Sequence, residues 1–186
     1  ASFVNEGDLI SKTKHQPMQY KPPADIGPFR ILLHFGGGWP LKVYPAELQN
    51  RLINLLSERG YHLTILLDSN MKLDEFNCVK FENVHQLRNL LESSHILIGM
   101  DSFPCHFAAN VIGLPTICLF ANTRPVNADA RLSRTHIFLE NELDCSPCAG
   151  VDRCPLNNKR ECKNFVSPEK VFSAVRDMLH ILYPNK

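Results

Sequence analysis

Three segments contain the residues best suited to chemistry on an anion, and each follows an apolar run. The first has three consecutive glycines, Gly36, Gly37 and Gly38, with Lys42 four residues further on. Glycines let backbone N–H groups approach an anion closely, and a lysine supplies a point charge for a phosphate. The alternative is a flexible turn with a solvated lysine, so this segment alone is a weak indication of a phosphate site.

The second segment passes directly from a strand into a helix at Asp101 and Ser102. Side chains at such a position normally cap the unpaired N–H groups of the first helical turn. The same groups make a helix start an anion site, for which pyrophosphate is a natural ligand. His106 lies in the first turns of this helix, where it either contacts a phosphate or ribose or is an interior histidine with satisfied hydrogen bonds. The third segment places Thr123 and Arg124 after the next apolar run, in position to face the same ligand.

Four of the seven cysteines form a cluster with the spacing C-x2-C-x5-C-x7-C: Cys145, Cys148, Cys154 and Cys162. The first pair can chelate a metal ion from one turn, and four thiolates favour zinc or iron. A closed four-thiolate site leaves no open position, so the metal would be structural, and we expect no catalytic metal. Two disulfides, or reduced cysteines that pack a loop, are the alternatives. We expect the other three to be buried free thiols: Cys78, Cys105 and Cys118.

Alternating strands and helices must position these segments. The apolar patterns predict strands at 29–35, 62–67, 95–100, 116–120 and 136–139. Helices are predicted from Pro45 to the stop at Gly60, at 84–93, at 103–112 before Gly113, and from Pro168 after a cap at Ser167. This order is typical of an α/β fold with a Rossmann-like parallel sheet and helices on both faces, in which ligands bind beyond the carboxyl ends of the strands.

Composition limits the classes of function. The 186 residues suffice for one domain with a buried core, and a net charge of +1 without any Lys/Arg run argues against nucleic-acid binding. No apolar stretch approaches the roughly 20 residues of a membrane span. Residues 1–28 are polar and contain four prolines, which predicts a linker or arm. The predicted domain covers 29–186, with a Cys-rich insert at 145–162.

The stretch ILIGMDSFPCHFAANVIGLPTICLFANTRP, from Ile96 to Pro125, resembles the signature of family 9 glycosyltransferases, the ADP-heptose:lipopolysaccharide heptosyltransferases and their relatives. That signature has an Asp-Ser/Thr-Gly-x-x-His helix start, then Gly-x-Pro-Thr and Phe-Gly-x-Thr. The segment ILLHFGGGWPLKVYPAE resembles their phosphate loop with its lysine and Trp-Pro. The tail from Cys145 to Val171 resembles the Cys-rich segment of heptosyltransferase II-like members. The three segments agree in order over about residues 29 to 182.

The resemblance implies the C-terminal, nucleotide-sugar-binding half of a two-domain GT-B glycosyltransferase. It implies inverting transfer from ADP-heptose or a similar donor to a glycan or lipid-linked acceptor, as in lipopolysaccharide biosynthesis. The N-terminal domain of the family binds the acceptor and carries the general base, and this chain has no segment that matches it. The resemblance also implies a cytoplasmic location, more specifically at the inner face of the bacterial inner membrane. The donor-binding residues would be Gly36, Gly37, Gly38, Lys42, Asp68, Asp101, Ser102, Phe103, His106 and Thr123.

Two positions depart from the family pattern. Phe103 stands where the family has glycine, so its side chain either crowds the diphosphate or stacks on another group. The second strand ends in Asp68-Ser69-Asn70, and only Asp68 can serve as the acidic residue that contacts ribose in several members. The alternatives to a transferase are a non-catalytic nucleotide- or metal-binding module that acts with a partner chain, and a GT-B-like epimerase.

Overall fold

In a computed structural model, the described residues form a central sheet of six parallel strands. The structure describes residues 20–23, 27–67, 77–124, 135–141, 143–148, 150–160, 162 and 165–184. The strands are β1 (Arg30–His34), β2 (His62–Leu67), β3 (Cys78–Lys80), β4 (Ile96–Met100), β5 (Thr116–Leu119) and β6 (His136–Leu139). Their order across the sheet is β3-β2-β1-β4-β5-β6, and every neighbouring pair is parallel. This is the strand order of a Rossmann fold.

Helices lie between the strands at the places where the sequence carries start and stop signals. They are α1 (Ala46–Ser57), α2 (Val84–Glu92), α3 (Phe103–Phe107, continued by a π-helical turn at Ala108–Ile112) and α4 (Pro168–Leu182). The Asn83 side chain caps α2, and the Ser167 side chain caps α4 by accepting a hydrogen bond from the Lys170 N–H at 3.3 Å. Gly113 ends the helical stretch after α3 with a φ of 77°, which a residue with a side chain adopts only at a cost.

Two hydrophobic cores cover the two faces of the sheet. Helices α1 and α4 pack on one face, and α2 and α3 pack on the other. Side chains of β1 alternate between them, with Ile31 and Leu33 in the first core and Leu32 in the second. The predicted α/β fold with helices on both faces is therefore confirmed.

Some boundaries differ from those predicted. The strand β3 was not expected, because it has only three residues, lies at the sheet edge and buries none of them fully. The first strand is shorter at both ends than 29–35, and β4 begins at Ile96 rather than His95. Pro45 precedes α1 as its cap residue instead of occupying the first turn. The helix predicted at 103–112 changes from α to π hydrogen bonding at Ala108.

Most of the predicted arm, residues 1–28, lies outside the described residues. Tyr20 is described, and its hydroxyl donates a hydrogen bond to the Ser94 carbonyl oxygen at 2.6 Å. Its ring also packs against the second core. Tyr20 thus contacts the domain, while the division at residue 28 stays a prediction. In the described part of the chain, no helix has the length and apolar character needed to cross a membrane.

Candidate functional site

A cleft of about 960 Å³ opens at the carboxyl ends of β1 and β4. The strand order reverses between these two strands, so the segments that leave them turn to opposite faces and create a crevice. The volume lies within the range of roughly 300–1,000 Å³ that small-molecule sites occupy. One wall is the glycine loop and the other is the start of α3. The residues that line the cleft include Gly37, Gly38, Trp39, His34, Ser102, Phe103 and Arg160.

Beside this cleft, the carboxylate of Asp101 joins the three strand-end segments. Its Oδ2 forms an ion pair with Lys42 Nζ at 2.5 Å and accepts a hydrogen bond from Thr123 Oγ1 at 2.7 Å. Its Oδ1 lies 2.8 Å from His106 Nε2. Lys42 Nζ also donates to the Asp101 carbonyl oxygen at 3.1 Å. Four of the predicted site residues therefore meet at one point.

The environment of Asp101 determines its charge. Burial alone would raise the pKa of this carboxyl, which is only 9% exposed. The hydrogen bonds from His106, Lys42 and Thr123 outweigh burial and hold the pKa well below its ordinary range. Asp101 is consequently ionised at neutral pH and balances the charge of Lys42.

The ammonium group of Lys42 is enclosed on several sides. It lies 4.1 Å from the centroid of the Trp39 ring, in a cation–π contact, as well as against Asp101. The residue is 8% exposed and is not one of those that line the cleft. In this structure Lys42 therefore connects the glycine loop to the segment that begins α3.

The glycines of the loop have different surroundings. A Cβ on Gly37 would overlap the Lys42 Cβ and lie 2.9 Å from the Lys42 carbonyl oxygen, so Gly37 permits the close turn that brings Lys42 to Asp101. Gly38 has nothing within 4 Å of such an atom and borders open space in the cleft. Gly36 is buried and does not line the cleft.

Ser102 occupies the cap position of α3, but its side chain makes no capping hydrogen bond. Its hydroxyl donates to the Met100 carbonyl oxygen at 3.0 Å and lies 3.1 Å from His34 Nδ1. Because a hydroxyl has one proton, this donation leaves its lone pairs to accept from an Nδ1–H of His34. The predicted capping role of Ser102 is therefore wrong, and the first-turn N–H groups of α3 have no side-chain cap.

Two residues of the cleft were missed by sequence reasoning. His34 is fully buried at the end of β1, where it follows an apolar run, and its polarity at a strand end was the available signal. Arg160 comes from the Cys-rich segment, and nothing local in the sequence indicated that it would reach the cleft. Conversely, Asp68, the expected ribose contact, lies outside the described residues.

Phe103 stacks on Phe107, with ring centroids 5.5 Å apart and an interplanar angle of 29°. Residues four apart share one face of a helix, which accounts for the contact. Phe103 is still 54% exposed and lines the cleft. Stacking is thus the arrangement observed for the residue that replaces the family's glycine.

The Cys-rich segment packs on the same edge of the sheet. The Cys148 N–H donates to the Asn122 carbonyl oxygen at 3.1 Å, and Asn122 Nδ2 donates to the Gly150 carbonyl oxygen at 2.7 Å. All four clustered cysteines line a second cavity, of about 550 Å³. The Oδ1 atom of Asn122 has no hydrogen-bond partner among the described residues, and Asn122 itself is 2% exposed and lines this cavity.

The seven cysteines are free thiols in this structure, so the alternative of two disulfides is not observed. Cys105 and Cys118 are buried as predicted, whereas Cys78 is only half-buried. In the residues that the structure describes, no three His, Cys, Asp or Glu side chains are close enough to hold a metal ion. The four clustered thiols suit a soft metal and share one cavity, but they are not drawn together as ligands.

Fold and cleft together define a Rossmann-like α/β domain with a cleft where the strand order reverses, the position at which sheets of this kind bind ligands. A sequence model described as "Glycosyltransferase family 9 (heptosyltransferase)" matches residues 11–158. The chain belongs to this family. Among curated protein sequences, none matches the chain.

Solved structures of heptosyltransferases share the fold. The bacterial iron-containing dodecameric glycosyltransferase TibC from enterotoxigenic E. coli H10407 is 15% identical, with a TM-score of 0.67 over 91% of this chain and 51% of its own. E. coli heptosyltransferase WaaC with ADP is 15% identical, with a TM-score of 0.60 over 84% and 46%. E. coli ADP-heptose lps heptosyltransferase II is 14% identical, with a TM-score of 0.60 over 97% and 53%. This chain spans about half the length of each.

The variant Asp101→Asn tests the role of the carboxylate. It leaves the buried Lys42 without its counter-charge, so we expect the free energy of unfolding at pH 7 to fall by about 3–5 kcal/mol. Because the folded pKa of Asp101 lies below the unfolded value, its stabilisation is present above about pH 4 and is lost as the pH falls further. The difference between variant and wild type should therefore shrink in acid, as measured by urea unfolding at several pH values.

The matched control is Asp177→Asn, which removes an exposed carboxylate paired with Arg176 on α4. It should change the unfolding free energy by less than about 0.5 kcal/mol. Equal stability of the two variants at pH 7 would contradict a structural role for Asp101.

Proposed function

We propose that this chain is the nucleotide-sugar-binding domain of a family 9 glycosyltransferase and corresponds to the C-terminal half of a GT-B enzyme. The observation that carries the proposal is the cleft between the glycine loop and the start of α3, at the reversal of strand order. Nucleotides bind at this position in doubly wound sheets. The donor proposed is ADP-heptose or a similar nucleotide-sugar, in line with the structures of TibC in complex with ADP-D-β-D-heptose and of WaaC with ADP.

The diphosphate of the donor is proposed to lie between Gly38 and the first turn of α3. The Ser102 side chain does not cap this turn, and Pro104 has no N–H, so the N–H groups of Phe103 and Cys105 are the donors without an intrahelical acceptor. An uncapped helix start and an open glycine are both suited to a diphosphate. The pair of Lys42 and Asp101 links the two walls.

In the reaction we propose, an acceptor hydroxyl attacks the anomeric carbon while the bond from that carbon to the diphosphate oxygen breaks. Backbone N–H groups that stabilise the departing diphosphate would lower the barrier without a catalytic metal. The hydroxyl proton goes to a base supplied by the acceptor-binding domain, which the resemblance assigns to the N-terminal half of the enzyme. The acceptor we propose is a glycan or a lipid-linked molecule. The location we propose is the cytoplasm, at the inner face of the inner membrane.

Isothermal calorimetry on the chain with ADP-, UDP-, GDP- and CMP-linked sugars tests the donor proposal. We expect ADP-linked sugars to bind most tightly and no transfer by the chain alone, since the proposal assigns the base to the acceptor-binding domain. Gly38→Leu should weaken ADP binding at least about tenfold, because the new side chain would fill the cleft where the Cβ position is open.

Gly27→Leu is the matched control, because its Cβ position is equally open and it does not line the cleft. This variant should bind ADP like the wild type. Should no nucleotide bind the wild-type protein, or should both leucine variants bind as well as it does, the cleft is not the donor site. Transfer by the isolated chain would overturn the assignment of the base to another domain.

A structural metal ion at the four clustered cysteines is a second proposal. It is favoured by the single cavity that all four thiols line, with the unpartnered Asn122 Oδ1 beside them. Zinc and iron both accept four thiolates, and TibC is described as iron-containing. Bound metal would stabilise a segment that has few buried apolar side chains of its own.

Metal analysis of the purified protein should give near one equivalent of zinc or iron. Cys148→Ser should abolish metal binding and lower the melting temperature by about 5 °C or more, the shift that about 2 kcal/mol produces in a domain of this size. Cys78→Ser, which changes a half-buried thiol in β3, should keep the metal. A metal-free wild-type protein with the same melting temperature as Cys148→Ser would end the proposal.

A further inference from the structure

The cleft carries little positive charge for a ligand as anionic as a nucleoside diphosphate. Of the described residues that line it, His34 and Arg160 are the ones able to carry a positive charge, and only the arginine is always charged. Lys42, the cation expected from sequence to meet the phosphates, is buried against Asp101 and Trp39. A phosphate in this cleft would therefore find its permanent counter-charge on Arg160.

The Arg160 guanidinium is available for such a contact. Its side chain is 65% exposed, and its Nε lies 3.4 Å from Asp152 Oδ1. Arg153 shares the same carboxylate at 3.7 Å. Exposed ion pairs of this kind contribute little free energy, so a diphosphate can replace Asp152 as the partner of Arg160 at small cost. The guanidinium also has a planar set of donors that matches two phosphate oxygens at once.

The position of Arg160 depends on the fold of the Cys-rich segment. A turn closes between Cys154 and Lys159, where the Cys154 N–H donates to the Lys159 carbonyl oxygen at 2.7 Å. Asn158 within this turn has a φ of 53°, and its N–H donates to the Cys154 carbonyl oxygen at 2.9 Å. Arg160 follows the turn directly and is thereby held over the cleft.

We propose that Arg160 binds the diphosphate of the donor, so that the Cys-rich segment forms part of the donor site in addition to any metal site. The inference rests on the proposed function, because it needs a nucleotide in the cleft. It adds a phosphate-binding residue that comes from outside the two strand-end loops.

Calorimetric titration of the full chain with ADP tests this inference. Arg160→Gln should weaken ADP binding about threefold to tenfold, the range for one partly solvated charge-assisted contact, and should leave adenosine binding unchanged. Arg160→Lys, which keeps the charge and loses the planar fork, should bind ADP with intermediate affinity. The loss of affinity with added salt should be less steep for Arg160→Gln than for the wild type.

Arg153→Gln is the matched control, because Arg153 belongs to the same segment, shares Asp152 and is similarly exposed but does not line the cleft. It should bind ADP like the wild type, and both glutamine variants should melt at the wild-type temperature. If the wild type binds ADP and the two glutamine variants bind it equally well, the assignment of Arg160 is wrong while the donor site stands. If the wild type binds no nucleotide, the donor site and the role of Arg160 are both wrong.

Discussion

One buried carboxylate holds the functional edge of this domain together. Asp101 is contacted by Lys42 from the glycine loop, by His106 from α3 and by Thr123 from the loop after β5. A buried charge is unfavourable unless it is paired and hydrogen-bonded, so the folded state requires these three segments to close on it. The residues next to those contacts, Gly37 and Ser102, line the cleft. The contacts of Asp101 therefore hold two of the segments that line the cleft next to each other.

The sheet determines where that carboxylate can stand. Side chains of β1 alternate between two cores, and β1 has neighbours on both sides, so it is buried on both faces. The chain turns to one face after β1 and to the other after β4, and among the described residues the gap between them is open as the cleft. A polar group placed just after β4, as Asp101 is, lies at that gap. The family resemblance and the physics of parallel sheets thus indicate the same edge.

The sequence predicted those features that have local signals. Within the part of the chain that the structure describes, apolar runs, glycine stops and the Ser167 cap led to five of the six strands and to all four α-helices. The short and half-buried β3 gave no comparable pattern. The strand-end rule selected Lys42, Asp101, His106 and Thr123, and the structure brings these four together. It could not indicate that Lys42 pairs with Asp101, because that contact joins residues 59 apart in the chain. Arg160 was missed for the same reason, since its place in the cleft depends on how a distant loop packs.

The Cys-rich segment contacts the strand-end loops and also contributes Arg160 to the cleft. It packs on the strand-end loops through the hydrogen bonds of Asn122, and Gly150 leaves room for Leu41, whose side chain a Cβ there would approach to 2.9 Å. Few of its described side chains are buried, so its conformation depends mainly on backbone hydrogen bonds. The turn that begins at Cys154 leads directly to Arg160. Cys154 and the cation that reaches the cleft, Arg160, therefore lie on the same short stretch of backbone.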